Sequence, residues 1–160
     1  MNKKNGEHPF GDSGQLILLV LFLIIWVVDS FFLGISTVFT DYISLYIRLV
    51  ILSVILLFAL YLIRSGHVVV SHGQRPSGVV STGAFQYVRH PLYLGSIMFY
   101  FGLAVSTASL FSLVLVALIF FFYNYIANYE ENLLEDRFPE EYRNYKKQTG
   151  KWMPMIGKGN

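Results

Sequence analysis

Four long apolar stretches, separated by polar segments, account for most of the chain. They cover residues 16–35, 42–63, 92–105 and 110–129. An α-helix rises about 1.5 Å per residue, so roughly 20 apolar residues cross the ~30 Å hydrocarbon core of a bilayer. The third stretch is short by itself, but residues 87–91 precede it and extend it. The pattern predicts an all-α membrane protein with about four transmembrane helices.

The segments on either side of the fourth stretch predict two further features. Only residues 106–109 separate the third and fourth stretches, so these should form a tight antiparallel hairpin. Beyond the fourth stretch, Phe138, Tyr142 and Tyr145 recur at the spacing of one helical face. We therefore expect a C-terminal amphipathic helix over about 131–148, lying along the cytoplasmic surface with this aromatic stripe buried.

Two features inside the apolar stretches concern helix packing. Gly95 and Gly102 lie in the third stretch, seven residues apart, and small residues at such spacing let another helix approach closely. Asp29 lies in the first stretch, where a charge costs about 2.5–3.5 kcal/mol at the helix centre. We expect Asp29 to face another helix and to have a structural role, because no other charged residue in that stretch accompanies it.

Basic residues indicate the orientation in the membrane. Lysine and arginine occur in the N-terminal tail, in the 64–90 connection and in the tail after Tyr129, but not in residues 36–42 or 106–109. Because cytoplasmic segments are enriched in these residues, four spans would place both termini in the cytoplasm. We expect a multi-pass protein of a prokaryotic cytoplasmic membrane. A cleaved signal peptide is the alternative for the first stretch, but no small-residue cleavage site follows it.

Composition supports a membrane protein and argues against several other classes. Hydrophobic residues make up 54% of the 160 residues and charged residues 14%, against about 25% charged in soluble domains. A net charge of +2 does not indicate nucleic acid, and the absence of cysteine excludes disulfides and thiolate ligands. His67 and His72 do not share a helical face and no carboxylate follows them, so we predict no metal site.

The length predicts one structural domain. Within it, residues 1–64 comprise the N-terminal tail and the first two helices. Residues 65–160 comprise a polar connection, the hairpin and the C-terminal helix. The residues with chemical potential fall in this second part.

A polar motif immediately precedes the third stretch. Arg89 and His90 stand before Pro91, which is well suited to the first turn of a helix, and Tyr93 follows within that turn. The free amide groups of a helix N-terminus favour an anion. An interfacial anchor of Arg, His and Tyr, common at membrane ends, remains the alternative interpretation.

The end of the fourth stretch carries a second polar group. Asn124, Asn128 and Glu131 share one helical face, while Glu130 and Arg137 lie on a neighbouring face. Carboxylates near the membrane are costly unless they are solvated or paired. A solvated acidic run on a helix that has emerged into water is therefore the alternative to a functional site.

Taken in order, these segments resemble the isoprenylcysteine carboxyl methyltransferase family and its phospholipid N-methyltransferase relatives. The resemblance rests on residues 89–95 (RHPLYLG), a helical hairpin, residues 130–138 (EENLLEDRF), Tyr142 and Tyr145, and residues 152–154 (WMP). It runs from about Thr82 to Pro154, whereas the first two helices carry no resemblance that can be named.

The resemblance implies an S-adenosyl-L-methionine (SAM)-dependent methyltransferase with its site at the cytoplasmic face. It implies that the cofactor is bound by the first motif and the paired glutamates, namely Arg89, His90, Tyr93, Gly95, Glu130 and Glu131. It implies catalytic roles for Glu131 and Arg137, with Arg137 beside the substrate and Tyr142 within reach of the pocket. The chain departs from the family pattern at two places. Phe85 stands where the family often has tyrosine, and residues 127–128 stand where it often has basic residues. These departures make the assignment of the substrate less specific than that of the cofactor.

The sequence leaves several acceptors and functions open. The leading expectation is carboxyl O-methylation of an isoprenylcysteine-like, lipid-linked acceptor that enters from the bilayer. N-methylation of a phospholipid amine is the alternative within the family. A sterol-reductase-like enzyme using NADPH, which would share a segment resembling HPxYxG, and a non-catalytic membrane subunit are the alternatives outside it.

Overall fold

The computed structural model describes residues 11–71 and 78–155, and this part of the chain is helical. Five α-helices follow one another: α1 (Gly11–Val27, continued by π-helical turns over Val28–Leu33), α2 (Leu45–Ser71), α3 (Pro91–Ser106), α4 (Leu110–Arg137) and α5 (Pro139–Gln148). A short 3₁₀ helix, Gly83–Gln86, lies between α2 and α3. The predicted all-α class is confirmed.

Three of the helical segments are long and apolar enough to cross a membrane: Ser13–Leu33, Leu45–Val68 and Leu110–Arg137. The fourth predicted span corresponds to α3, an apolar helix of only 16 residues. Its length of about 24 Å is less than a hydrocarbon core. The chain is therefore an all-α membrane protein with three full-length candidate spans and one shorter apolar helix.

The predicted hairpin joins α3 and α4 through three residues. Thr107 follows the last turn of α3, and Ala108 adopts a positive φ of 49°. The Ser109 hydroxyl then accepts the amide hydrogen of Ser112 at 3.1 Å, which satisfies a free donor in the first turn of α4. This cap fixes where α4 begins.

The close contact between α2 and α3 depends on glycine. A Cβ atom on Gly95 would lie 2.7 Å from Cγ1 of Ile63 and 3.0 Å from the carbonyl oxygen of Ala59. At Gly102 a Cβ would lie 3.1 Å from Cγ2 of Ile55. The predicted approach of another helix at these two glycines is confirmed, and α2 is that helix.

The core of the bundle lies between α1, α3 and α4. Phe22 packs against Tyr100 with ring centroids 4.8 Å apart, and Ile119 and Tyr123 complete the buried centre. Trp26 donates its indole hydrogen to the Leu103 carbonyl at 3.0 Å. These contacts hold α1 against the hairpin.

Asp29 joins three segments at the end of the bundle where α4 begins. Its carboxylate accepts the amide and the hydroxyl hydrogens of Ser36 and, at 2.6 Å, the hydroxyl of Ser109. Ser36 in turn accepts the amide hydrogens of Leu110 and Phe111. These contacts with neighbouring segments are those of a structural residue, as predicted for Asp29.

The boundary between the last two helices differs from the prediction. The predicted helix over 131–148 is wrong at its start, because α4 continues to Arg137 and α5 begins at Pro139. Proline lacks an amide hydrogen and disfavours the helical conformation in the preceding residue. Phe138 accordingly has φ −134° and ψ 64°, and the chain turns there.

Candidate functional site

A buried ion pair joins the start of α3 to the end of α4. Nε of Arg89 lies 3.0 Å from Oε1 of Glu131, and Nη2 lies 3.4 Å from Oε2. The two side chains are 11% and 9% exposed. Such a carboxylate is costly to bury unless it is paired, and Arg89 supplies a two-point partner. The solvated acidic run considered above therefore does not describe Glu131.

His90 is the second partner of the same carboxylate. Its Nε2 lies 3.1 Å from Oε1 of Glu131, and its Nδ1 lies 3.9 Å from Oε2 of Glu130. Burial lowers the pKa of the His90 imidazole below its ordinary 6.5, and the hydrogen bond to Glu131 offsets this only in part. His90 immediately precedes α3, where the helix dipole also disfavours a positive charge. We therefore describe His90 as neutral at pH 7.

Tyr93 extends the cluster to Glu130. Its hydroxyl donates to Oε1 of Glu130 at 2.5 Å. Its ring stacks on the His90 imidazole with centroids 5.7 Å apart and an interplanar angle of 4°. The side chain of Glu130 is 17% exposed, against 9% for Glu131, so Glu130 is the more accessible of the two carboxylates.

The chain after α5 returns across the cluster. The Thr149 carbonyl accepts from Nη1 of Arg89 at 2.6 Å, and the Gly150 carbonyl accepts the Arg89 amide hydrogen at 2.9 Å. Lys151 donates to Oδ1 of Asn128 at 2.6 Å, and the Trp152 indole donates to Oδ1 of Asn124 at 3.1 Å. We call residues 149–152 the return segment. It supplies the partners of Asn124 and Asn128 on the polar face of α4.

The helix α5 places two buried tyrosines beside the cluster. The Tyr145 hydroxyl donates to the Phe85 carbonyl at 2.6 Å, which ties α5 to the 3₁₀ helix. The Tyr142 hydroxyl is buried within reach of the Arg89 side chain, but within the described ranges its own hydrogen has no acceptor. Burial and the nearby Glu131 charge raise the pKa of Tyr142 above its ordinary value. Tyr142 therefore presents a neutral, unsatisfied hydroxyl next to the Arg89–Glu131 pair.

The structure brings together most, but not all, of the predicted site residues. The cluster contains Arg89, His90, Tyr93, Glu130 and Glu131, with Tyr142 at its side. Gly95 instead packs on α2, and the closeness of that helix is sufficient to explain why the residue is a glycine. Arg137 is exposed, with its guanidinium 5.2 Å from the centre of the Phe138 ring. Roles for Gly95 in cofactor binding and for Arg137 in catalysis stay predictions.

Sequence reasoning included Trp152 in the family resemblance but gave the return segment no role in the site. The shared face of Asn124, Asn128 and Glu131 signalled that polar partners were needed, but not where they would come from. No group of three potential metal ligands occurs among the residues that the structure describes, and His72 lies outside them.

Comparison with known proteins places the chain in a family. The family model for phospholipid methyltransferases matches residues 49–141, more than half of the chain. The chain belongs to the phospholipid methyltransferase family. The match starts within α2 and so reaches further toward the N-terminus than the resemblance seen in the sequence, which began near Thr82. A search of curated proteins finds no match.

Family membership and the apolar helices together define the protein as a membrane methyltransferase. The cluster lies largely within the matched region, whereas the return segment lies beyond its end. The match favours methyl transfer over the reductase and the non-catalytic subunit that the sequence left open.

The burial of the ion pair predicts different effects of neutralising the two glutamates. Glu131→Gln leaves Arg89 buried without its counter-charge, which typically costs about 3–5 kcal/mol. Glu130→Gln keeps that pair and should lower stability less. Thermal unfolding of the detergent-purified proteins measures both effects. Equal losses in the two variants would show that the Arg89–Glu131 pair does not organise the site.

The lowered pKa of His90 predicts a pH dependence of stability. As the pH falls below 6.5, the unfolded chain binds a proton before the folded protein does, so stability is complete above 6.5 and declines below it. Melting temperatures measured between about pH 7.5 and 5.5 should show this decline, and His90→Gln should reduce it. His67→Gln, at an exposed histidine of α2, serves as the control and should retain it. An unchanged decline in His90→Gln would contradict a neutral, buried His90.

Proposed function

We propose that this protein transfers a methyl group from SAM to a carboxylate on a lipid-borne acceptor at the cytoplasmic membrane face. The observation that carries the proposal is the buried cluster at the start of α3, which holds both charge signs beside the unsatisfied Tyr142 hydroxyl. A buried donor without an acceptor, such as the Tyr142 hydroxyl, costs about 1–3 kcal/mol. An ion pair with a purely structural role gives no reason for that cost, whereas a ligand that accepts from the hydroxyl does.

The residues present fit the polar part of SAM. Its amino group needs a carboxylate, for which we propose Glu130 because it is the more exposed of the pair. Its carboxylate needs donors, for which we propose the first-turn amides of α3 and the Tyr142 hydroxyl. When bound, the cofactor supplies an electrophilic methyl group on a sulfonium centre.

The contacts support a different role for Glu131 from the one expected from the sequence. Both of its oxygens already accept from Arg89, and one also faces His90. We therefore propose that Glu131 is a positioning residue that holds Arg89 and His90 at the start of α3. Glu130 takes over the contact with the cofactor.

A carboxylate acceptor suits this arrangement because it is already a nucleophile. One of its oxygens would take the methyl group that the cofactor supplies, while sulfur would keep the electron pair of the broken carbon–sulfur bond, so no proton would have to move. The protein then has only to align the two reactants. Glu131 is committed to Arg89, Glu130 accepts from Tyr93, and the exposed Arg137 guanidinium is suited to pair with an acceptor carboxylate.

Methylation of a phospholipid amine is the second candidate. The family description, phospholipid methyltransferase, favours it. An amine must lose a proton, so a base is needed. The neutral His90, whose Nδ1 lies 3.9 Å from Glu130, is the group that we would assign to that step.

The chemistry of the labelled product distinguishes these acceptors. Membranes containing the protein are incubated with methyl-labelled SAM and a lipid extract, and the lipid fraction is then treated with alkali. A carboxyl methyl ester releases labelled, volatile methanol, whereas an N-methyl group stays bonded to its nitrogen and the label remains non-volatile. Release of methanol is the expected result. Retention of the label identifies the amine, and an absence of lipid label above membranes that lack the protein would contradict lipid methylation.

Tyr142 provides a test of the cofactor site itself. Tyr142→Phe removes an unpaired buried hydroxyl, so the protein without ligand should become more stable, by roughly 1 kcal/mol. The same change should weaken binding of SAM or its demethylated product roughly threefold to tenfold, because a hydrogen bond to the ligand is lost. Calorimetry and thermal unfolding measure the two opposite effects.

The matched control is Tyr145→Phe. This change removes the hydrogen bond to the Phe85 carbonyl, so it should lower stability and leave cofactor affinity unchanged. Unchanged affinity in Tyr142→Phe would place Tyr142 outside the cofactor pocket. Absence of binding in the wild type, across detergents and added lipids, would contradict SAM dependence.

A further inference from the structure

A groove separate from the cluster lies along the second half of α2. It is open to the surroundings, has a volume of about 580 Å³, and is lined by Leu57, Leu60 and Tyr61 of α2 and by Gly83 of the 3₁₀ helix. Ser65 accepts the amide hydrogen of Ala84 at 2.9 Å, and this bond holds the 3₁₀ helix against α2. None of these residues belongs to the Arg89–Glu131 cluster.

The lining of the groove changes from apolar to cationic along the helix. Leu57 and Leu60 lie deeper in the span, and Arg64 lies one to two turns further, near its end. Arg64 is exposed, and within residues 11–71 and 78–155 no hydrogen bond or ion pair engages it. The adjoining residues 72–77 contain no aspartate or glutamate that could neutralise it.

This order of groups matches one kind of molecule in the surroundings of the groove. A bilayer offers hydrocarbon chains at the depth of Leu57 and Leu60 and phosphate groups at its interface. Arginine binds phosphate through two parallel hydrogen bonds, and such charge-assisted bonds are among the stronger ones in proteins. The lipid-facing surface of a single helix is convex. Here the 3₁₀ helix lies beside α2, so the surface between the two helices is a groove.

We propose that the groove is a binding site for one glycerophospholipid, with its phosphate on Arg64 and an acyl chain along Leu57 and Leu60. The bound lipid contacts both α2 and the 3₁₀ helix, and the latter carries the Phe85 carbonyl that Tyr145 binds. It thus braces the segment that leads into the cluster. The inference concerns binding alone and does not depend on methyl transfer.

The test is a lipid titration of the delipidated protein, followed by native mass spectrometry. The probes are dioleoyl phosphatidylglycerol and dioleoylglycerol, which share their acyl chains and differ in the phosphate-containing headgroup. We expect one phosphatidylglycerol to bind well below the concentration at which dioleoylglycerol binds. Arg64→Gln should weaken this about tenfold, equivalent to ~1.4 kcal/mol. Lys147→Gln, an equal loss of charge at an exposed residue of α5, should have no effect.

A second pair of variants tests the groove by its volume. Leu60→Trp fills it and should abolish the selective binding, whereas Val54→Trp adds the same bulk at an exposed position of α2 outside the lining and should not. Equal binding in Arg64→Gln and wild type, or equal losses in Arg64→Gln and Lys147→Gln, would overturn the proposal. A dimer that forms without lipid and is lost in Leu60→Trp would also overturn it, because the groove would then bind a second copy of the chain. The assay contains no SAM, so its failure leaves the proposed reaction untouched.

Discussion

The organisation of the site depends on the need to neutralise one carboxylate, that of Glu131, near the end of a long apolar helix. Arg89 meets this need from the start of α3, and its remaining donors reach the Thr149 carbonyl of the return segment. A single guanidinium therefore connects α3, α4 and the chain beyond α5. The loss of either charge would leave the other buried, which is why the three segments depend on one another.

Local physical rules made the helical framework predictable from the sequence. Apolar length gives the long helices, the short 106–109 connection gives the hairpin, and Gly95 and Gly102 give the contact with α2. Proline acts locally as well: Pro91 opens α3, and the break at Phe138 could have been derived from Pro139. The prediction from hydrophobicity placed the start of the last helix too early, at about residue 131, because it did not take Pro139 into account.

The pairing of residues distant in sequence could not be predicted in the same way. The shared face of Asn124, Asn128 and Glu131 showed that α4 needs polar partners, but the partners lie far away in the chain, at Arg89 and in the return segment. The resemblance drew attention to the residues that form the cluster, whereas it could not tell the carboxylate that holds Arg89 from the more exposed one beside it. That distinction follows from burial and contact geometry alone.

The hydrogen bonds of Asp29 restrict how the helices can move. They fasten the end of α1 to the beginning of α4, at the end of the bundle opposite the cluster. A rigid-body movement of α1 that preserves these bonds is a rotation about the end of the helix that carries Asp29. Displacement then grows with distance from Asp29, so such a rotation would widen the gap between α1 and the hairpin most at the end of the bundle that holds the cluster.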